Sequence, residues 1–142
     1  MSSFQDRIQN IESRMDLAYA LVRIYLGVAL AVRGILFLKD PSMITTMAGV
    51  QQFYMWYAYI IGSHILGGVF LALGIMTRTG ALLQIPVVAG AIIFFHLGEG
   101  LMTAGQSLEL AALVFFLLVV CLIFGSGNWS LEKFFSGKRA TA

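Results

Sequence analysis

Six ionisable or amide side chains interrupt otherwise apolar stretches of the chain: Arg23, Arg33, His64, Gln84, His96 and Glu109. Guanidinium groups bring several donors and a fixed charge. Imidazoles donate, accept or carry a proton, and a carboxylate can pair with either. An Arg at the centre of a membrane helix costs about 2.5–3.5 kcal/mol on insertion scales, whereas each Leu or Ile returns roughly 0.3–0.6 kcal/mol. Two Arg in one apolar stretch thus offset about ten aliphatic residues, which a passive anchor has no reason to carry. Ionisable groups inside a span point to a ligand, ion or proton site by default. Structural alternatives stand beside that reading. Arg23 and Arg33 can snorkel to opposite interfaces, an Arg33–Glu109 pair can simply tie helices together, and His96 can be an interface residue. Gln84 reads as interhelical glue and Cys121 as inert filler.

The background that makes these residues conspicuous is a chain of 142 residues, 59% hydrophobic and only 11% charged, with a mean hydropathy of +0.87. Soluble domains carry about 25% charged residues, so an all-α integral membrane protein is expected, in contact with the lipid bilayer. A net charge of +2 with no basic cluster excludes a nucleic-acid footprint. A single Cys excludes an internal disulfide and a Cys-rich metal site. No phosphate-binding glycine loop is present, and no His/carboxylate cluster has the spacing of a metal site. No covalent or metal cofactor is expected.

A bilayer core about 30 Å thick needs about 20 apolar residues per helix. Four segments meet this, at roughly residues 17–38, 54–76, 80–97 and 107–124, which predicts a four-helix bundle over residues 17–125. The short Thr77–Arg78–Thr79 connection makes the second and third spans a hairpin. Residues 1–16 place Phe4, Ile8, Ile11 and Met15 at helical spacing between polar residues, the pattern of a short amphipathic helix on the membrane surface or on a partner subunit. Residues 126–142 form a tail in which Asn128 or Ser130 can cap a second short helix. Arg7, Arg14, Arg78, Lys133, Lys138 and Arg139 fall on one side and Lys39 on the other, so both termini are predicted to be cytoplasmic. The cluster from Phe53 to Tyr59 then reads as an outer aromatic belt and Trp129 as an inner anchor. Pro86 predicts a kink in the third span.

Helical rise places Arg33, His96 and Glu109 within about 8 Å of the outer boundary, His64 near the midplane and Arg23 in the inner half. Residues 23, 27, 30 and 34 share one face of the first span, with Arg33 at its edge. His64, Gly67 and Gly68 share a face of the second. Gly27, Gly34, Gly67 and Gly68 would let these two backbones approach closely. Arg23, Arg33, His64, His96 and Glu109 are therefore the candidate intramembrane polar cluster. A quinone fits such a site: its carbonyls need donors and its tail needs an apolar slot.

The stretch LVRIYLGVALAVRG, with Arg23, Gly27, Arg33 and Gly34, resembles the first span of the DoxX family of small four-helix bacterial membrane proteins. HILGGVFLALGIMTRTGALL, with Gly67, Gly68, Gly74 and Arg78, is similar to its second-to-third-span signature. The region from Ala89 to His96, the segment GQSLELAAL with Glu109, and GSGNWSLE continue the likeness over about residues 17–132. Many members carry an acidic residue where this chain has His64. The resemblance implies a multi-pass protein of the bacterial cytoplasmic membrane linked to redox chemistry; DoxD-type relatives are associated with thiosulfate oxidation coupled to quinone reduction. Three functions follow as expectations. The first is a quinone-interacting subunit of an oxidoreductase, not catalytic alone. The second is an accessory subunit stabilising other membrane-complex subunits or a homo-oligomer, and the third is a small anion or solute carrier.

Overall fold

The computed structural model describes residues 2–40, 42, 54–96 and 107–139, with side chains described over 11–40, 42, 56–94 and 108–136. The linker from 43 to 53 and the Gly-rich segment 97–106 lie outside the described residues, as do the side chains of Phe4, Ile8, Phe53, Tyr54 and His96. Every element among the described residues is helical. Helix α1 (Ser2–Lys39) is a single run of 38 residues, about 57 Å at 1.5 Å per residue. From Ser2 onward, the expected interfacial segment is therefore the N-terminal part of α1 rather than a separate helix. No Gly or Pro occurs between Ser2 and Leu26 to end it, and those are the residues that break helices.

The second rod consists of α2 (Tyr54–Gly62), a π-helical turn (Ser63–Gly67) and α3 (Gly68–Leu73). It ends at Gly74, whose φ of +68° suits the left-handed cap conformation that Gly adopts without penalty. The turn to α4 (Thr77–Ala91) thus occupies residues 74–76, and Thr77–Arg78–Thr79, expected as the connection, opens the helix. A second π-helical turn (Ile92–His96) follows α4, and then come α5 (Ser107–Phe124) and α6 (Leu131–Arg139). Ser130 caps α6 by accepting from the Lys133 amide at 3.3 Å. Among the described residues, three stretches are long and apolar enough to cross a membrane: Ile11–Lys39, Trp56–Leu73 and Thr77–Phe94. Leu108–Phe124 in α5 is apolar but shorter.

Glycines set the spacing of the rods. A Cβ on Gly68 would lie 2.5 Å from the Ala31 amide nitrogen and 2.7 Å from the Gly27 carbonyl. One on Gly27 would collide with the backbone of Ala72, and one on Gly34 would lie 2.9 Å from the His64 Cβ. These obstacles are mostly backbone or Cβ atoms that cannot swing aside. Helices α1 and α3 therefore touch backbone to backbone, the small-residue packing that holds membrane helices together where lipid is as apolar as the side chains. Leu26, Leu30, Leu71, Ala81, Val88, Leu118 and Cys121 form the buried core between the rods. Leu21, Tyr25, Leu66, Leu82, Phe94 and Phe116 point away from it.

Candidate functional site

Apart from Thr77, buried where it opens α4, the buried polar groups among the described residues fall into two separate regions. The first lies where α3, α5 and the start of α6 meet α1. Arg23, only 1% exposed, donates from Nη1 to the Leu71 carbonyl at 2.5 Å and from Nη2 to the Trp129 carbonyl at 2.7 Å. Leu71 belongs to the last turn of α3, whose carbonyls have no intrahelical partner and carry the negative end of the helix dipole. Gly74 leaves room for this: a Cβ there would run into the Arg23 guanidinium and lie 2.8 Å from the Ser130 Cβ. Arg78, on α4, donates to the Ile123 carbonyl of α5 at 3.2 Å. The Tyr19 hydroxyl donates to the Gly125 carbonyl at 2.6 Å. Two guanidinium groups and a phenol thus occupy the carbonyl ends of two helices.

The second region is the π-helical turn. A π turn widens the helix by one residue and leaves carbonyls available to side chains. Here the Ile60 carbonyl accepts from Ser63 Oγ at 2.9 Å and faces His64 Nδ1 at 2.8 Å. A carbonyl can only accept, so Nδ1 carries the proton; in the neutral ring Nε2 is then an acceptor. Across the interface, Gln84 on α4 donates from Nε2 to the Ser63 carbonyl at 2.9 Å. Gln84 is 0% exposed, and its Oε1 has no partner within the described residues. His64, 5% exposed, meets the Phe37 ring edge-on with centroids 5.5 Å apart. The Arg33 guanidinium lies over that same ring, 5.5 Å from its centroid. Arg33 itself is exposed, so the sequence Arg33–Phe37–His64 runs from the outer surface of α1 to the interior.

The structure therefore brings Arg33 and His64 together through Phe37 and sets Arg23 apart. Eleven residues of α1 separate Arg23 from Gly34 beside His64, about 16 Å of helix. One pocket shared by Arg23 and His64 does not form; the reason is the spacing along a straight α1. Arg33 stands over Phe37 because position 33 lies a helical step of about 100° off the Gly34 face. Glu109 is half-buried in the first turn of α5, where a carboxylate complements the helix dipole. The backbone of His96 closes the second π turn. Among the described residues, no three His, Cys, Asp or Glu side chains cluster as a metal site would require. Ser63 and Phe37 were not singled out from the sequence. A Ser directly preceding a midspan His was the available signal for the first; nothing distinguished Phe37 from other apolar residues.

Long apolar helices of membrane-crossing length, packed through glycine and tied together by the buried Arg23 guanidinium, define an all-helical membrane protein. The chain belongs to the DoxX family, which it matches over residues 18–97. The matched stretch contains Arg23, Arg33, His64 and Gln84, and it ends just past His96. Neither a curated protein nor a solved structure matches the chain.

Proposed function

We propose that the chain is a four-span DoxX subunit of a redox-linked complex in the bacterial cytoplasmic membrane, with both termini cytoplasmic. In this reading it offers a quinone head a site at Arg33, Phe37 and His64. The observation that carries the reading is the His64 ring, whose proton is committed to the Ile60 carbonyl at 2.8 Å, which turns its other nitrogen into an acceptor. The residues fit the group. Arg33 is an exposed donor for a quinone carbonyl arriving from lipid, Phe37 is a ring to stack against, and His64 Nε2 accepts from a quinol hydroxyl. The unpartnered Gln84 Oε1 is a second acceptor in the same layer. A bound quinone would supply two-electron chemistry that no side chain here possesses; Arg33 would hold its carbonyl and His64 Nε2 would take up its proton. Glu109 and His96 stand nearer the outer end of the helices, and Arg23 serves the fold.

Photolabelling of purified protein with an azidoquinone tests this. Labelled peptides from residues 30–40 and 60–68 are expected, with labelling lost in His64→Leu and Arg33→Leu. Equal labelling of both variants and the parent would overturn the reading.

A second reading, a non-catalytic accessory subunit, is favoured by α1. Its N-terminal part carries Ile11 at 57% and Met15 at 66% exposure, apolar positions on one side suited to another subunit. Size measurement in mild detergent separates the two: a stable lone monomer of about 15.5 kDa counts against the accessory role.

A further inference from the structure

At the end of the molecule opposite the Arg33 ladder lies a groove of about 690 Å³ between α1, α3 and the start of α6. Its walls include Leu17, Leu21, Ile24, Leu73 and Phe134, while Arg23 and Lys133 bring two positive charges. Neither Asp nor Glu lines it. Arg23 spends both terminal nitrogens on the Leu71 and Trp129 carbonyls, yet its Nε is buried without a partner. A buried guanidinium N–H left unmade costs more than a neutral one, so Arg23, which lines the groove, has an unmet demand for an acceptor that a negative group answers best. Lys133 reaches only the neutral Asn128 amide oxygen. Trp129, Leu131, Phe134 and Phe135 are exposed around the opening, and a Trp beside basic residues is the residue set of a membrane interface.

We propose that this groove binds the phosphodiester headgroup of an acidic membrane phospholipid. The phosphate sits at the Arg23–Lys133 end and an acyl chain runs along Leu17, Leu21 and Leu73. Helix α6, amphipathic and lying beside the opening, closes over the lipid. The charge arrangement favours an acidic lipid over a zwitterionic one, because a choline ammonium would bring a third positive charge to a groove whose lining holds no carboxylate, the Asp16 carboxylate next to it being engaged by the Asn128 amide. This site is independent of the quinone reading and stands if that reading fails.

The test is native mass spectrometry of the full chain released from detergent containing equal amounts of phosphatidylglycerol and phosphatidylcholine with the same acyl chains. Preferential retention of one phosphatidylglycerol is expected. One cation near the membrane surface contributes about fivefold in affinity for acidic lipid. Lys133→Gln should therefore lower retention about fivefold and Lys133→Glu further, with helix content unchanged by circular dichroism. Arg23 is avoided as the primary variant because it also holds the fold. As a second readout, Trp56→Phe leaves Trp129 as the sole tryptophan, and brominated phosphatidylglycerol should quench it more than brominated phosphatidylcholine. Equal retention or equal quenching by the two lipids overturns the proposal, as does undiminished retention in the Lys133 variants. Displacement of the lipid by inorganic phosphate at matched ionic strength would make this a soluble-anion site and would overturn it too.

Discussion

The Arg23 end and the His64 turn both bury strongly polar side chains between apolar helices, yet they are built oppositely. At the Arg23 end, donors from one helix meet carbonyls of another: guanidinium nitrogens reach the Leu71 and Ile123 carbonyls, which helix C-termini leave without partners, and the Trp129 carbonyl of the loop before α6, leaving over a single N–H, the Arg23 Nε. Around His64 the match is incomplete. The ring is held by its own helix, and the Gln84 Oε1 opposite is left without a donor. A costly group in a membrane helix thus does not by itself mark a site. What its partners leave over does. The first region ties α1, α3, α5 and the α6 junction together and leaves over one donor, the Arg23 Nε, whereas the second leaves over acceptors, His64 Nε2 and Gln84 Oε1.

The sharpest way to break this comparison is Arg23→Leu. It strips a charged donor from two carbonyls, each such bond being worth about 1.5–3 kcal/mol. A loss of about 3–5 kcal/mol is expected, seen as a large drop in thermal unfolding temperature in mild detergent. If Arg23→Leu is as stable as the parent, the architectural role is wrong. Gly68→Val comes next. Its side chain would meet the Ala31 amide and the Gly27 carbonyl, and overpacking against immovable atoms costs about 1–3 kcal/mol. The same thermal measurement checks it, with Gly62→Ala as the control, since a Cβ at Gly62 meets nothing within 4 Å.

At the second region the expected effects on stability are small. His64→Leu gives up one hydrogen bond to its own helix, about 0.5–1.5 kcal/mol, while quinone photolabelling should vanish. A collapse of the fold in His64→Leu would move this residue into the architectural class. Smallest of all is Gln84→Met. It loses the bond to the Ser63 carbonyl but also removes a buried oxygen that has no donor, and the two terms nearly cancel. Its unfolding temperature should stay within a few degrees of the parent.

How far the sequence carried this can be judged from particular residues. The apolar stretches and the Gly27, Gly34, Gly67 and Gly68 positions are readable because helical periodicity alone puts residues on faces. The turn lies at 74–76, three residues before the 77–79 connection that hydropathy indicates. Gly74 takes the left-handed cap, and a hydropathy pattern does not record φ. The π turn at Ser63–Gly67 was invisible for a related reason: one extra residue in a helix leaves composition unchanged. The separation of Arg23 from His64 followed from α1 being straight, but which carbonyls Arg23 would find depended on the Trp129 loop, more than a hundred residues away in the chain.

The class of protein is legible in the residue types alone. An 11% charged chain has too few polar groups to cover a soluble surface, and runs of some 20 apolar residues satisfy their own backbone only as helices in lipid. Which residues would be expensive to bury is legible there too. What each of them does emerges from packing, because a polar group's role depends on the partner atoms that neighbouring chain segments bring to it. Arg23 found two carbonyls, became a brace and kept one N–H donor over. His64 found one, and kept a nitrogen to spare.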